Sequence, residues 1–157
     1  MKIALLQTGK TTDQHIAKVI DLYTSRINKY LVFEIITLPD IKNSRSMSLQ
    51  EKKMKEGKRI IQSIYSEDYV ILLDENGNEF KTVDFSAWLE KLFMIRKKRI
   101  VFVIGGAWGL SDEVFNRANY RLALSRMTYS HQMVRLLFLE QLYRAFTVIR
   151  GEPYHHD

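Results

Sequence analysis

The sequence predicts an α/β fold with a mainly parallel sheet and helices on both of its faces. Strand-like and helix-like segments alternate five times along the chain, which is the pattern of repeated βαβ units. The segment 69–74 is almost wholly apolar, as expected of a strand that is covered on both faces. The 157 residues contain no linker, repeat or low-complexity segment, so we expect a single domain over residues 1–157.

The first third of the chain predicts two strands with a helix between them. Strand character covers residues 2–8 and 31–38, and Pro39 closes the second run. Between these runs the apolar residues recur at helical spacing, with Thr12 or Asp13 as the candidate N-cap. The apolar residues are Ile16, Val19, Ile20, Tyr23, Ile27 and Tyr30. The polar segment 39–48 lacks periodicity and is interpreted as a surface loop.

The remaining elements follow the same alternation. Ser48 and Glu51 form the S-x-x-E capping box, which predicts a helix from 49 to about 65. A strand at 69–74, a turn at 75–80 ("ENGNEF") and a helix at 83–98 come next. The last third predicts a strand at 100–104, a short helix opened by Ser111 with two acidic residues, a strand at 120–125 and a long helix at 131–149. Gly151 ends that helix.

Composition and charge narrow the class of protein. The chain has no cysteine, which excludes disulfides, thiolate zinc sites and cysteine nucleophiles. No apolar run approaches the roughly 20 residues that span a bilayer, and no signal peptide is recognisable, so we expect a soluble, cytoplasmic protein. The net charge of +6 favours a polyanionic partner such as a nucleic acid, although an inert basic surface fits the charge equally well.

Three glycines follow the fourth predicted strand, in the segment "IGGAWG". Gly105, Gly106 and Gly109 would lie at the carboxyl end of that strand, where open parallel sheets bind ligands. Their G-G-x-x-G spacing matches neither the dinucleotide fingerprint nor a P-loop, so it does not indicate a phosphate site. A tight turn explains the glycines as well as a ligand does. The loop 124–135 and the strand end 72–74 should reach the same edge, which favours a ligand.

Longer motifs carry a resemblance to a known family. The segments "FVIGGAWGLS", "LSRMTYSHQMVRLLFLEQLYRAF" and "PYHHD" resemble the SPOUT-class methyltransferases that methylate N3 of a pseudouridine in large-subunit (23S) ribosomal RNA. The resemblance covers the whole chain. It implies a deep trefoil knot over approximately 70–150 and a C-terminal tail at 151–157. It also implies that S-adenosylmethionine is the methyl donor, that S-adenosylhomocysteine is the product, and that no metal is needed.

The resemblance also assigns the site residues. The methyl donor would contact Leu72, Leu73, Gly105, Gly106, Ser125, Arg126, Met127, Thr128, Tyr129 and Ser130. Catalysis is assigned to Tyr154, His155 and Arg135. The N3 atom must lose a proton, and His155 is the better acceptor because histidine titrates near neutrality, while Tyr154 would stack on the base. His156 stands where the family commonly has an Arg or Lys, which argues against a phosphate clamp there.

The last predicted helix is expected to serve both the site and a subunit contact. His131 and Arg135 are four residues apart and should share a face near its start. Glu140 and Arg144 form either an ordinary surface pair or a brace for the site. Apolar residues cover more of this helix than a monomer's surface helix needs, which suits the homodimers typical of SPOUT proteins. These residues are Met133, Leu136, Leu137, Leu139, Leu142, Tyr143 and Phe146.

Basic segments are the expected contacts with ribosomal RNA. They are 51–59 and 96–99, together with Lys10, Lys42 and Arg45 in predicted loops, and each is individually typical of a solvated surface. Other functions stay open. A SPOUT ribose 2′-O-methyltransferase of transfer RNA would use the same donor loops, but the "PYHHD" ending argues against it. A non-catalytic ribosome-associated RNA-binding protein would not need the unbroken glycine loop. A flavodoxin-like nucleotide-binding module fits least.

Overall fold

The computed structural model describes residues 1–154, and the candidate His155 lies outside the described residues. The strands of this part of the chain are β1 (Lys2–Thr8), β2 (Val32–Leu38), β3 (Tyr69–Asn78), β4 (Arg99–Ile104) and β5 (Tyr120–Leu122). They form a five-stranded sheet in the order β2-β1-β4-β3-β5. Every neighbouring pair is parallel, as the sequence predicts.

Helices cover both faces of the sheet, which is also as predicted. They are α1 (Gln14–Ile27), α2 (Leu49–Gln62), α3 (Thr82–Phe93), α4 (Asp112–Arg117) and α5 (Met133–Arg150). On one face α5 contacts both α1 and α3, and on the other face α2 contacts α4. No helix within residues 1–154 is long and apolar enough to cross a membrane.

The side chains of β1 divide between two cores. Ile3 and Leu5 pack beneath α1, α3 and α5, whereas Ala4 and Leu6 pack beneath α2 and α4. All four side chains are fully buried. Over residues 3–6 the strand therefore carries no polar side chain on either face. Binding groups are therefore confined to the strand ends and the loops that follow them.

Local capping fixes the starts of two helices. The Asp13 carboxylate caps α1 and accepts the backbone N–H of Ile16 at 3.0 Å, and this bond lowers the pKa of Asp13. The capping box of α2 is complete. Ser48 Oγ accepts the N–H of Glu51 at 3.1 Å, and the Glu51 carboxylate accepts the N–H of Ser48 at 2.6 Å. Both caps satisfy N–H groups that have no partner within the helix.

The end of β3 differs from the prediction in a way that shapes the site. A turn is predicted at 75–80, but β3 continues to Asn78. Leu122 of β5 pairs with both Leu73 and Asn78, so the residues between them leave the ladder. Such a bulge bends a strand and redirects its side chains. In contrast β5 is shorter than predicted and ends at Leu122 instead of residue 125.

Three helix boundaries also differ from the predictions. Helix α3 ends at Phe93 instead of 98, and Arg96 beyond it has a φ of 58°, which a right-handed helix cannot include. Helix α2 ends at Gln62 instead of about 65, and α5 begins at Met133 instead of 131. The predicted end of α5 is confirmed within one residue, with Gly151 as its cap.

We expect Phe138 to be essential for the attachment of α5 to the sheet. Its ring is fully buried, and its centroid lies 4.6 Å from that of Phe102 in β4. Phe138→Ala should lower the free energy of unfolding by about 3–5 kcal/mol, because it leaves a cavity in the core. Denaturant unfolding followed by circular dichroism measures this loss. Leu22→Ala, at a position 45% exposed on α1, is the control and should change stability little. Equal losses for the two variants would contradict the prediction.

Candidate active site

A cavity of about 550 Å³ lies at the carboxyl edge of the sheet. Its walls come from the bulged part of β3, the loop after β4 and the loop before α5. The convergence of these three segments, expected from the sequence, is therefore present. Six of the predicted donor contacts line the cavity: Leu73, Gly105, Gly106, Thr128, Tyr129 and Ser130. Their role in binding the methyl donor stays a prediction.

The other predicted donor contacts lie elsewhere. Leu72 is fully buried beneath α2 and α4, because successive side chains of a strand point to opposite faces, so its side chain cannot line the cavity. Arg126 is exposed and forms an ion pair with Glu79 at 2.8 Å. Ser125 and Met127 line an adjoining cavity of about 80 Å³. The loop before α5 thus presents only part of its length to the main cavity.

A contact within the protein, with Glu56, explains why residue 106 is a glycine. The N–H of Gly106 donates a hydrogen bond to Glu56 Oε1 at 2.6 Å. A Cβ at Gly106 would lie 2.7 Å from both carboxylate oxygens of Glu56, which is closer than real contacts allow. The sequence predicts that a ligand occupies the space beside Gly106. In the structure the ligand-sized space lies beside the backbone of the loop, and the Cβ direction is filled by Glu56.

Glu56 is a candidate functional residue that sequence reasoning misses. It lies in the basic stretch 51–59, yet only 3% of the residue is exposed. Burial raises the pKa of Glu56, and the N–H of Gly106 opposes that rise. A signal was available in the sequence, because Glu56 precedes the core residue Ile60 by one helical turn and so shares its buried side.

Arg135 does not line the cavity, and its assignment as a catalytic residue stays a prediction. It is fully buried and donates hydrogen bonds to the backbone oxygen of Thr8 at 2.6 Å and to Thr11 Oγ1 at 3.0 Å. Burial lowers the pKa of Arg135. His131 lies before the first turn of α5 and lines the cavity, so the shared helical face predicted for the two residues is absent. Arg135 instead joins α5 to the end of β1.

Tyr154 lies in a second cavity, which has no lining residue in common with the first. Its ring packs edge-on against Tyr143, with centroids 4.8 Å apart, and beneath the Arg144 guanidinium at 4.8 Å. Its hydroxyl lies 3.2 Å from that of Tyr23, and burial raises the pKa of Tyr154. The predicted pair of Glu140 with Arg144 is confirmed, at 3.0 Å from Nε to the carboxylate. Within a single chain, Tyr154 therefore lies apart from the predicted donor site.

Some of the basic residues form contacts within the protein, and others are exposed or line the cavity. Arg99 forms a largely buried pair with Asp68, and Arg59 donates to the backbone oxygen of Pro39 at 2.8 Å. Lys53 lines the cavity, and the Lys52 ammonium lies 4.1 Å from the centroid of Trp108. The loop residues Lys10, Lys42 and Arg45 are exposed. Within residues 1–154, no three histidine, aspartate or glutamate side chains are grouped as metal ligands.

The raised pKa of Glu56 predicts a pH-dependent difference in stability between the wild type and Glu56→Gln. A raised folded-state pKa contributes stability that is complete below the unfolded-state pKa and is lost as pH rises through the folded-state pKa. The free energy of unfolding of the wild type should therefore fall relative to that of Glu56→Gln as the pH rises above about 4, the ordinary range of a glutamate. Denaturant unfolding at a series of pH values measures both. Glu90→Gln, at an exposed position of α3, is the control. A difference for Glu56→Gln that does not change with pH would contradict the prediction.

Comparisons with known proteins agree with this fold. A family model described as "Predicted SPOUT methyltransferase" matches residues 1–155. The chain is 47% identical to ribosomal RNA large subunit methyltransferase H of Flavobacterium johnsoniae over 100% of both chains. It is 45% identical to the protein of the same name from Christiangramia forsetii over 99% of both chains. A Legionella pneumophila methyltransferase structure with bound SAM shares the fold at a TM-score of 0.52 and 13% identity, over 92% of this chain and 66% of that one. The chain belongs to the SPOUT methyltransferase family.

Proposed function

We propose that this protein transfers a methyl group from S-adenosylmethionine to N3 of a pseudouridine in large-subunit (23S) ribosomal RNA. The observation that carries the proposal is the full-length identity of 45–47% with proteins named ribosomal RNA large subunit methyltransferase H. The choice of pseudouridine N3 rests on the family resemblance of the sequence motifs. Because the proposed substrate is the ribosome, the cytoplasm is also the proposed site of action.

The residues that line the main cavity suit the charges of this donor. S-adenosylmethionine supplies, when bound, an electrophilic methyl group on a positively charged sulfonium. Asp74 and Glu75 line the cavity, but the Asp74 carboxylate accepts a hydrogen bond from Arg121 Nε at 2.7 Å, so Glu75 is the better complement to positive charge, while Lys53 complements the donor's carboxylate. The hydroxyls of Thr128 and Ser130 and the backbone of the glycine loop supply polar contacts. A cavity of about 550 Å³ lies within the usual range for small-molecule sites.

The proton at N3 needs an acceptor before the nitrogen can react. Our proposal keeps His155 in this role, because an imidazole can take a proton near neutral pH. Tyr154 precedes it and would stack on the target base. Arg135 lies apart from this cavity, since its guanidinium is fully buried against Thr8 and Thr11. Its proposed part is to hold the loop after β1 in place.

We also propose that the active unit is a homodimer in which the tail of one subunit meets the donor cavity of the other. Two features support this arrangement. Tyr154 and the donor cavity lie in different places within one chain. Large apolar side chains are exposed on the loops around the donor cavity and at the start of α5, which is typical of an interaction surface. They are Trp108, Met127, Tyr129 and Met133. The proposal includes the single domain over 1–157, with its knot at approximately 70–150.

Methyl transfer from labelled S-adenosylmethionine tests the proposed substrate. Ribosomes that lack the modification, free large-subunit RNA and transfer RNA are compared, and the product is mapped by mass spectrometry. We expect label at a pseudouridine N3 in ribosomes, because all parts of the chain match the large-subunit enzymes. Label on transfer RNA ribose would overturn the substrate and keep the donor. No label together with no donor binding in calorimetry would favour a non-catalytic RNA-binding protein.

Deletion of residues 153–157 tests the proposed role of the tail. We expect methyl transfer to fall at least about a hundredfold, because the proton acceptor and the stacking tyrosine are both removed. Affinity for S-adenosylmethionine should change less than about threefold, because the donor cavity contains no residue of the tail within residues 1–154. Steady-state transfer and calorimetric binding measure the two effects. Lys18→Ala, at an exposed position of α1, is the control. Unchanged turnover of the deletion variant would refute the role.

A further inference from the structure

Helix α2 contacts the loop between β4 and α4 at two successive residues. Glu56 meets the loop at Gly106, near its start, and Gly57 meets it at Ser111, its last residue before α4. This loop forms one wall of the donor cavity through Gly105, Gly106 and Gly109. Neither Glu56 nor Gly57 lines that cavity. Helix α2 therefore contacts this wall through two residues that do not themselves line the cavity, while Lys53, one turn earlier on the same helix, does line it.

The contact at Gly106 is a hydrogen bond from the first residue of a tight turn. Gly106 donates its N–H to Glu56 Oε1 at 2.6 Å, and its carbonyl oxygen accepts the N–H of Gly109 at 3.1 Å. Glu56 is buried, so water does not compete effectively for this bond. The position of the turn is therefore fixed by a side chain from a different element.

The contact at Ser111 depends on the absence of a side chain from α2. A Cβ at Gly57 would lie 2.0 Å from Ser111 Oγ and 2.8 Å from Ser111 Cβ, so only glycine permits this approach. Ser111 is buried and precedes the first turn of α4. A glycine in a helix interior lowers helix stability by roughly 1 kcal/mol relative to alanine. The chain accepts that cost at the residue that brings α2 against the end of the loop.

We infer that Glu56 is a positioning residue for methyl transfer, which holds the Gly105–Ser111 loop in the shape that S-adenosylmethionine binds. The inference rests on the proposed function, and it adds a residue to the site that does not touch the donor. Glu56 lines a small cavity of about 220 Å³, distinct from the one that contains Tyr154, and Thr8, Asp40 and Gly106 line it as well. Loss of its carboxylate frees the N–H of Gly106 and the turn that begins there.

Substitution of Glu56 tests this inference by the affinity for S-adenosylmethionine, measured by calorimetry. Loss of one buried hydrogen bond corresponds to about a tenfold weaker affinity, so Glu56→Ala should raise both the Kd and the KM of the donor about tenfold. The kcat at saturating donor should fall less, because the reacting groups are unchanged. Glu56→Gln should recover most of the affinity, since its amide oxygen can accept the N–H of Gly106.

A matched control separates positioning from general destabilisation of α2. Glu51→Ala removes half of the capping box at the exposed start of the same helix and should lower the thermal midpoint while leaving the donor Kd unchanged. If the donor Kd rises in Glu51→Ala in proportion to its loss of stability, or stays normal in Glu56→Ala, the inference is wrong. Failure of the wild type to bind S-adenosylmethionine would instead refute the proposed function.

Gly106→Ala supplies a test that leaves Glu56 in place. Its Cβ would point at the Glu56 carboxylate, so the single variant should also weaken donor binding about tenfold by displacing the loop. In the Glu56→Ala background the clash is absent. The donor Kd of the double variant should therefore be at most about threefold higher than that of the weaker-binding single variant. Independent effects would multiply to about a hundredfold, and that result would overturn the inference.

Discussion

Burial of β1 and β4 on both faces is the constraint on which the site depends. Residues 3–6 and 100–103 are fully excluded from solvent and are all apolar, so polar side chains of these two strands are confined to their ends. Groups that bind a ligand can then lie only at the strand ends, as is general for sheets covered by helices on both faces. The bulge in β3 adds to this edge, because the residues between Leu73 and Asn78 leave the ladder and turn towards the cavity. The cavity of about 550 Å³, the proposed donor site, lies where these irregular segments meet.

Buried polar groups are concentrated around the same edge. Glu56, Ser111 and Arg135 are all buried there, and each comes from a different helix or its cap. Within residues 1–154, Ser111 Oγ and Arg135 Nε have no hydrogen-bond partner. An unpaired buried polar atom costs about 1–3 kcal/mol, so this edge is less favourable for folding than the apolar cores on either side. Departures from good local packing are expected where a site must be held in one shape.

Local features of the chain could be predicted from the sequence, and features set by tertiary contact could not. The strand Lys2–Thr8 and the Ser48–Glu51 capping box depend on neighbouring residues alone and are confirmed. In an apolar strand such as β3 the sequence does not distinguish the two faces, so Leu72 and Leu73 are both assigned to the donor although only Leu73 lines the cavity. Arg135 is assigned to catalysis from the family resemblance, and its burial against Thr8 and Thr11 could not be predicted because only the fold brings these residues together.

Helix α5 connects the two halves of the proposed site. Near its start Arg135 is bonded to the end of β1, beside the donor edge. About 12 Å further along its axis, at a rise of about 1.5 Å per residue, Tyr143 and Arg144 hold the ring of Tyr154. The hydrogen bonds of Tyr154 run to side chains of its own chain, so the start of the tail is anchored away from that chain's donor cavity. In the homodimer that we propose, the base would meet the donor of one subunit and the tail of the other. The rigid link that α5 provides within each chain would then set the distance between the two sites of the dimer.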